Sequence, residues 1–452
     1  MRAKFHKLSY ITTQGAVIDI SDLVAEISIY QSIFDHYMQC ELVMHDAVDL
    51  SLATKQDIGR RINGGFTGGE ILVIQYTAQH NPTLSNCFVL YERSNRTKAK
   101  ETVERYILSG ISLEAYDSYP RKISRAYGSP NGNTIDKMVK SLFDEYVYSR
   151  GVKDQYGAIK TTLNVMQEKV FVAEPTSGLQ KFIIPSLSVD DTIEFFCNEA
   201  QGLGYTSRYM FWERQDGFYF YNLESLVDAA PVMNYYYTEF NINAADEDHR
   251  KIIQYNIKKE TNFLENARDG MYKSKTIHLD VLKKKVTESV FDYNEARQDD
   301  RFKTLQQFYH NGVVGDSNIN VTLITTRQGH DCQCQIFSEE NHLPKRIDYI
   351  IGPRKSYQKH LFNTVLSITV PGTTVINAGD TINLEFPLKS LLQGKGGNDP
   401  QLSGKYLVTK VRNKFSKVMG NVSPFITVLE CVKDTQIMED NVFQALAEDY
   451  DE

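Results

Sequence analysis

The chain has 452 residues, with 50 Lys and Arg against 57 Asp and Glu for a formal net charge of −7. At roughly 150 residues per domain that length suits about three domains, and 41% hydrophobic with 24% charged residues is ordinary for a folded chain. The acidic balance argues against a general nucleic-acid binder, whose affinity comes largely from neutralising phosphates with Lys and Arg, and 27 Gly with 12 Pro are too few for a collagenous or linker-dominated chain.

The first hundred residues read as short strands. Ile27 and Ile29 alternate with Ser28, and Cys40, Leu42 and Met44 share one face; residues 69–76, 87–91 and 105–108 follow the same pattern. Strands at this spacing predict a sandwich or barrel. Asn63-Gly64-Gly65-Phe66-Thr67-Gly68-Gly69 is a turn signal, without the Lys-Ser/Thr ending of a phosphate loop. After about Tyr116 the pattern becomes helical. Asn133 or Thr134 caps a helix whose apolar face is Ile135, Met138, Val139, Leu142, Phe143 and Tyr146. A second helix starts after Ser188, with Asp191 as its capping-box acid and Gly202 and Gly204 as its stop.

Residues 211–220 predict a hairpin turning at Asp216-Gly217, and the polar stretch 241–250 marks a boundary. Strands resume at 252–257 and 275–279. Residues 294–343 are polar, with room for a short helix at 300–309. From Phe362 alternation returns in Leu366, Ile368 and Val370, in Ile382, Leu384 and Phe386, in Tyr406 and Val408, and in Phe425, Thr427, Leu429 and Cys431. The fold class is mainly β, α+β overall: a β domain over 1–116, an inserted α/β domain over 117–249, and a second β domain from 250–290 with 343–435. A smaller insertion spans 291–342, and an acidic tail 436–452. No repeat of 20 to 50 residues points to a solenoid.

Chemistry is sparse. His330-Asp331-Cys332-Gln333-Cys334 with His342 is the one Cys/His cluster, but a single residue between the cysteines is tighter than structural zinc uses, so no metal is expected. Asp190-Asp191 is the obvious carboxylate pair for glycosidase chemistry, against the simpler role of first-turn acids at a helix N-terminus. Gly352-Pro353-Arg354-Lys355-Ser356 is too short for a phosphate loop and precedes no evident helix. Lys273, Lys275, Lys283, Lys284 and Lys285 form a basic segment that is either a solvated strand face or a guide for an acidic partner. Tyr235-Tyr236-Tyr237 suits an interface or an aromatic core equally. Four of the six cysteines, Cys40, Cys87, Cys197, Cys332, Cys334 and Cys431, sit in apolar runs, which fits folding in a reducing cytoplasm. No secretion signal and no membrane insertion are expected, since the basic start is followed by no apolar h-region and no run of about 18 apolar residues occurs. No catalytic residue, cofactor site or metal site emerges, and the chain reads as a building block and not as an enzyme.

Several segments, in order, carry a resemblance. Ile18-Asp19-Ile20-Ser21-Asp22-Leu23-Val24 leads into Ile29-Tyr30-Gln31-Ser32-Ile33-Phe34-Asp35, then Glu41-Leu42-Val43-Met44-His45-Asp46 and Gly68-Gly69-Glu70-Ile71. Near the other end stand Val370-Pro371-Gly372, Ala378-Gly379-Asp380-Thr381-Ile382, Leu402-Ser403-Gly404-Lys405-Tyr406-Leu407-Val408 and Leu429-Glu430-Cys431-Val432-Lys433-Asp434. The hairpin at Phe211-Trp212-Glu213 with Leu223-Glu224-Ser225-Leu226, and Gly270-Met271-Tyr272 with His278-Leu279-Asp280, lie between them. This arrangement resembles the baseplate hub proteins of contractile-tailed phages of the T-even type, related to the hub part of type VI secretion spikes.

The resemblance implies two β-barrel, tube-like domains with inserted α/β domains, closing as a homotrimer into a ring that adapts a hexameric tail tube to a trimeric central spike. It implies tail-tube proteins, other baseplate proteins and a separate central spike protein as partners, since no needle follows the second β region. It also implies a place in the virion tail baseplate and a channel for DNA passage without tight nucleic-acid binding, with the lysines of 273–285 outside that channel or at a subunit contact. The runner-up is a β-rich cell-wall glycan hydrolase carried by a virion.

Overall fold

The computed structural model describes residues 2–13, 15–47, 66–78, 83–101, 103–128, 132–163, 169–202, 207–238, 249–260, 262–280, 284–296, 322–325, 347–387, 398–399, 401–416 and 422–433. The Cys332/Cys334 cluster with His330 and His342, the 300–309 helix, Lys283 and the 436–452 tail lie outside the described residues.

The strands in chain order are β1 (Arg2–Ile11), β2 (Val17–Asp19), β3 (Val24–Ser32), β4 (Gln39–Asp46), β5 (Glu70–Ala78), β6 (Thr83–Lys100), β7 (Val103–Ser112), β8 (Lys122–Tyr127), β9 (Val170–Ala173), β10 (Phe182–Ser188) and β11 (Tyr209–Glu213). They continue with β12 (Gly217–Asn222), β13 (Met233–Tyr236), β14 (Gln254–Lys259), β15 (Lys273–Asp280), β16 (Lys285–Asp292), β17 (Thr322–Thr325), β18 (Thr364–Pro371), β19 (Thr381–Glu385), β20 (Gly404–Ser416) and β21 (Val422–Lys433). Period-two alternation sets which face each strand buries. In β4, Cys40, Leu42 and Met44 are buried while Gln39, Glu41 and His45 are exposed; in β18, Leu366, Ile368 and Val370 face inward.

The pairings join both β regions into one 13-stranded sheet. The order β20–β3–β4–β7–β6–β5–β1–β21 is antiparallel throughout, and β21 pairs back to β20, so these strands form a closed ring. A second ring runs β13–β19–β20–β21–β18–β14 and closes through a bridge between Tyr236 and Lys251, just ahead of β14. The hairpin β20/β21 belongs to both rings. Along β20, residues 404–407 pair with β19 and residues 410–416 with β3; on β21, residues 422–424 pair with β1 and 426–433 with β18. Closure removes the unpaired edges that open sheets must otherwise protect.

Each ring holds its own core. Phe5, Ile27, Leu42, Ile74, Tyr76, Phe415 and Phe425 pack inside the first, where Phe415 and Phe425 stack at 4.4 Å and Tyr76 meets Phe415 edge-on at 4.9 Å. Gly372 leaves room for that stack: a Cβ there would sit 2.2 Å from the Phe425 ring. Leu366, Ile368, Ile382, Leu384, Tyr406, Leu429 and Cys431 fill the second.

A third core belongs to the inserted α/β unit. Its helix Ile135–Leu142 runs into a π-helical turn, Phe143–Val147, so Val147 is buried and Tyr146 only partly. The second helix, Val189–Glu199, begins as its sequence predicts: Ser188 Oγ accepts from Asp191 N–H at 3.0 Å and donates to the Asp191 carboxylate at 2.7 Å. Its end is not made by a glycine. Ala200 turns extended, and Arg354 donates to the carbonyls of Asn198 and Ala200 at 2.6 and 3.1 Å, a cation at the negative pole of the helix.

Arg354 comes from the segment expected to lack a helix. Residues Ile347–Leu361 are helical, with Gly352 and Pro353 inside. Gly-Pro is a breaker by local propensity, but tertiary contacts override it. A Cβ on Gly352 would sit 2.8 Å from Phe291, so only glycine lets helix and sheet approach this closely. Ser356 Oγ donates to the Met271 carbonyl at 2.6 Å. Arg150–Leu163 is a further helix, with Val152 and Ile159 buried.

Candidate assembly site at the joint between the rings

The β11/β12 hairpin lies where the two rings and the inserted unit meet. Arg214 and Gly217 exchange backbone hydrogen bonds at 2.7 and 3.4 Å, so the tip is Gln215-Asp216, one residue earlier than the Asp216-Gly217 turn read from the sequence. Every residue of β11 is buried, and alternation divides them between cores. Tyr209 and Phe211 enter the core of the inserted unit, while Met210 and Trp212 enter that of the second ring.

Four consecutive side chains then lock the parts together. Trp212 donates Nε1–H to the Ala378 carbonyl at 3.0 Å. Its ring lies where a Cβ on Gly379 would stand 2.6 Å away, and Gly379 has φ +91°, a backbone position that L side chains rarely adopt. Glu213 accepts from Met38 N–H at 2.8 Å and from Lys169 Nζ at 2.7 Å, both carboxylate and ammonium being buried. Arg214 donates to Asp380 at 3.0 Å and lies 4.5 Å from the Tyr219 ring centroid. Burial holds the Asp380 carboxyl above the usual carboxylate range, against the pull of Arg214. Gln215 Nε2 donates to Tyr76 Oη at 3.0 Å, inside the first ring's aromatic cluster. Two motifs of the sequence, Phe211-Trp212-Glu213 and Ala378-Gly379-Asp380, are thereby brought into direct contact. Lys169 and Gln215 had no signal in the sequence, because their partners are 44 and 139 positions away.

The other sequence candidates stand elsewhere and apart. Asp191 is taken up by its cap; Asp190 lies 3.6 Å from His36, whose other ring nitrogen is 3.9 Å from Glu194. Lys273 pairs with Asp292 at 3.1 Å and Lys275 with Glu288 at 2.7 Å across the β15/β16 hairpin. Of the three tyrosines, Tyr235 is buried in the second ring's core, and Tyr237 packs edge-on to Tyr255 at 4.9 Å. Burial pushes the Cys87 and Cys197 thiols up to about 12, which is the opposite of an activated nucleophile. Among the described residues no group of three or more His, Cys, Asp or Glu could hold a metal ion, and no helix is long and apolar enough to cross a membrane.

On the outer wall, where the rings join, an open groove of ≈ 440 Å³ is lined by Tyr30, Glu41, Lys258, Lys410, Arg412 and Glu430 among others. Its cations are paired: Lys258 and Lys410 with Glu430 at 2.5 and 3.2 Å, and Arg412 at 3.5 Å with Glu26, which also meets Lys414 at 3.0 Å beside the groove. Partial burial works against the Glu430 charge, but its two lysines outweigh it and hold the carboxyl below its usual range.

No family model matches the chain, and no curated protein matches it in sequence. Solved structures do. The tail protein from Neisseria meningitidis MC58 matches at TM-score 0.51 and 13% identity, covering 96% of this chain and 97% of that one. The 43 kDa tail protein of prophage MuSo2 from Shewanella oneidensis matches at TM-score 0.51 and 7% identity, covering 95% and 98%. A chain of the half-lidded Francisella PdpA–VgrG complex matches at 0.44 and 8% identity, covering 96% of this chain and 58% of that one, below the level from which a common fold follows. Over nearly its whole described plan, this chain has the fold of the Neisseria and Shewanella tail proteins.

Proposed function

We propose that the chain is a structural baseplate hub of a contractile phage tail, of the T-even type. In this reading three copies close into a homotrimer whose two strand rings per subunit are the tube-like domains. Six similar rings then face a hexameric tail tube on one side, and a trimeric spike, supplied as a separate protein, docks on the other. Other baseplate proteins surround the hub, and DNA passes through its channel. The observation that carries the reading is the fused pair of rings: one hairpin, β20/β21, runs through both, which holds them at a fixed spacing as a ring-shaped adaptor needs. The end-to-end likeness to two tail proteins supports it.

Closed cyclic symmetry is the usual solution for such assemblies. Size exclusion with light scattering is expected to return a trimer, and particle images a ring with a central channel. A stable monomer or dimer at micromolar concentration speaks against the hub. Clearing of a cell-wall zymogram by the purified protein would favour the hydrolase instead.

The channel is proposed not to grip DNA. Each chain carries a net charge of −7, and the cations of the outer-wall groove are already paired to carboxylates. Filter binding to duplex DNA at about 0.15 M salt is expected to be weaker than roughly 10⁻⁶ M. Tighter binding that weakens steeply with added salt would refute this, and Lys→Gln changes at Lys273, Lys275, Lys284 and Lys285 would show whether that segment is responsible.

A further inference from the structure

Behind the hairpin lies a buried group of ionisable side chains. Glu114, on the helix Leu113–Ser118, is 0% exposed, Glu213 1% and Lys169 9%. Tyr156, on the helix Arg150–Leu163, donates its hydroxyl to Glu114 Oε1 at 3.0 Å. Glu114 Oε2 has no hydrogen-bond partner among the described residues. The thiol of Cys87, on β6, completes the set of titratable groups that act on Glu114 and its partners. One ammonium therefore serves two carboxylates, and it is committed to Glu213 at 2.7 Å. A second carboxylate anion here has neither a counter-ion of its own nor exposure to solvent, which is costly unless it takes a proton.

We propose that this group is a proton-operated latch: a proton held on Glu114 keeps the 113–118 and 150–163 helices closed against the hairpin and the first ring, and its release to water loosens that joint. The inference concerns the chain's own stability and does not depend on the hub reading. Burial, then repulsion from Glu213, pushes the Glu114 carboxyl up from 4.5 to about 7, against the pull of Lys169. Its neighbours do not titrate in that window. Burial raises the Cys87 thiol to about 12 and the Tyr156 phenol well above its usual value. Burial also opposes the Lys169 charge, but Glu213 and Glu114 outweigh it and raise its pKa.

The sign follows from proton linkage. The closed joint binds the proton more tightly than the open one, so closure is strongest below pH 4.5 and is lost as pH rises to about 7, then stays level. Amide hydrogen exchange of the full chain, corrected for the intrinsic rate, reads this directly in peptides covering 113–118, 150–163 and 209–222. Protection in the wild type is expected to fall roughly tenfold per pH unit across that window, while Glu114→Gln stays protected and flat. Tyr156→Phe removes the hydrogen bond that favours the carboxylate, so its levelling point is expected to move to higher pH; a merely structural role would not shift it. This second variant decides the matter if Glu114→Gln does not fold. Wild-type protection that ignores pH, or a levelling point unmoved in Tyr156→Phe, overturns the proposal.

Discussion

Replacing Trp212 by alanine is expected to cost about 3–5 kcal/mol of stability, the range for deleting a large buried aromatic. Trp212 is the chain's only tryptophan and is fully buried in the second ring's core, although it belongs to the inserted unit's hairpin. Its loss opens a cavity where hairpin and ring meet and leaves the Ala378 carbonyl without its 3.0 Å donor. Trp212→Phe keeps most of the apolar contact and loses the N–H, so it is expected to cost less, with about 1–3 kcal/mol for the stranded carbonyl. Guanidinium unfolding followed by circular dichroism checks both. Equal midpoints for wild type and Trp212→Ala would mean that the hairpin does not hold the ring.

Lys169→Met is expected to be comparably damaging, about 3–5 kcal/mol, because it breaks a buried ion pair and strands the carboxylate of Glu213. The deficit should depend on pH in a defined direction. Lys169 lowers the Glu114 pKa, so without it that carboxyl holds its proton to still higher pH in the folded state. A raised folded-state pKa gives stability at low pH that is lost as pH rises. The gap between Lys169→Met and wild type should therefore be wider at pH 8 than at pH 5. Denaturation midpoints at the two pH values decide it, and a gap of the same size at both would rule out an electrostatic origin. A double variant with Glu213→Gln should recover part of the loss, since removing both partners avoids the buried unpaired charge.

Much of the local structure was legible in the sequence because it rests on short-range rules. The period-two alternation of Cys40, Leu42 and Met44 is buried as the pattern predicts, and Ser188 caps its helix through the Asp191 N–H, with the Asp191 carboxylate held on the Ser188 hydroxyl. The apolar face of the 135–142 helix forms as well, up to the π-helical turn that exchanges Tyr146 for Val147. Each of these depends on neighbours within a few positions. The Gly352-Pro353 segment went the other way: its local signal says break, and it is helical because Phe291, Met271 and the end of the 189–199 helix hold it. The tip of the β11/β12 hairpin shifted by one residue for a similar reason, since Gly217 is needed beside Val170 on β9, where a Cβ would lie 2.1 Å from a backbone oxygen.

What the sequence determined by itself is therefore the kind of chain this is: mainly β, with alternating strands at both ends and helices between them. Only the tertiary structure decided how the two β regions relate. Alternation says which face of a strand is apolar but not which strand lies beside it, and β20 meets β3 nearly 400 positions away. The joint was beyond the sequence for the same reason. Glu213, Lys169, Glu114 and Gln215 are ordinary surface residue types until folding removes water from all four at once, and it is that shared burial which turns common side chains into an ion pair, a proton site and a bond from the hairpin to the first ring.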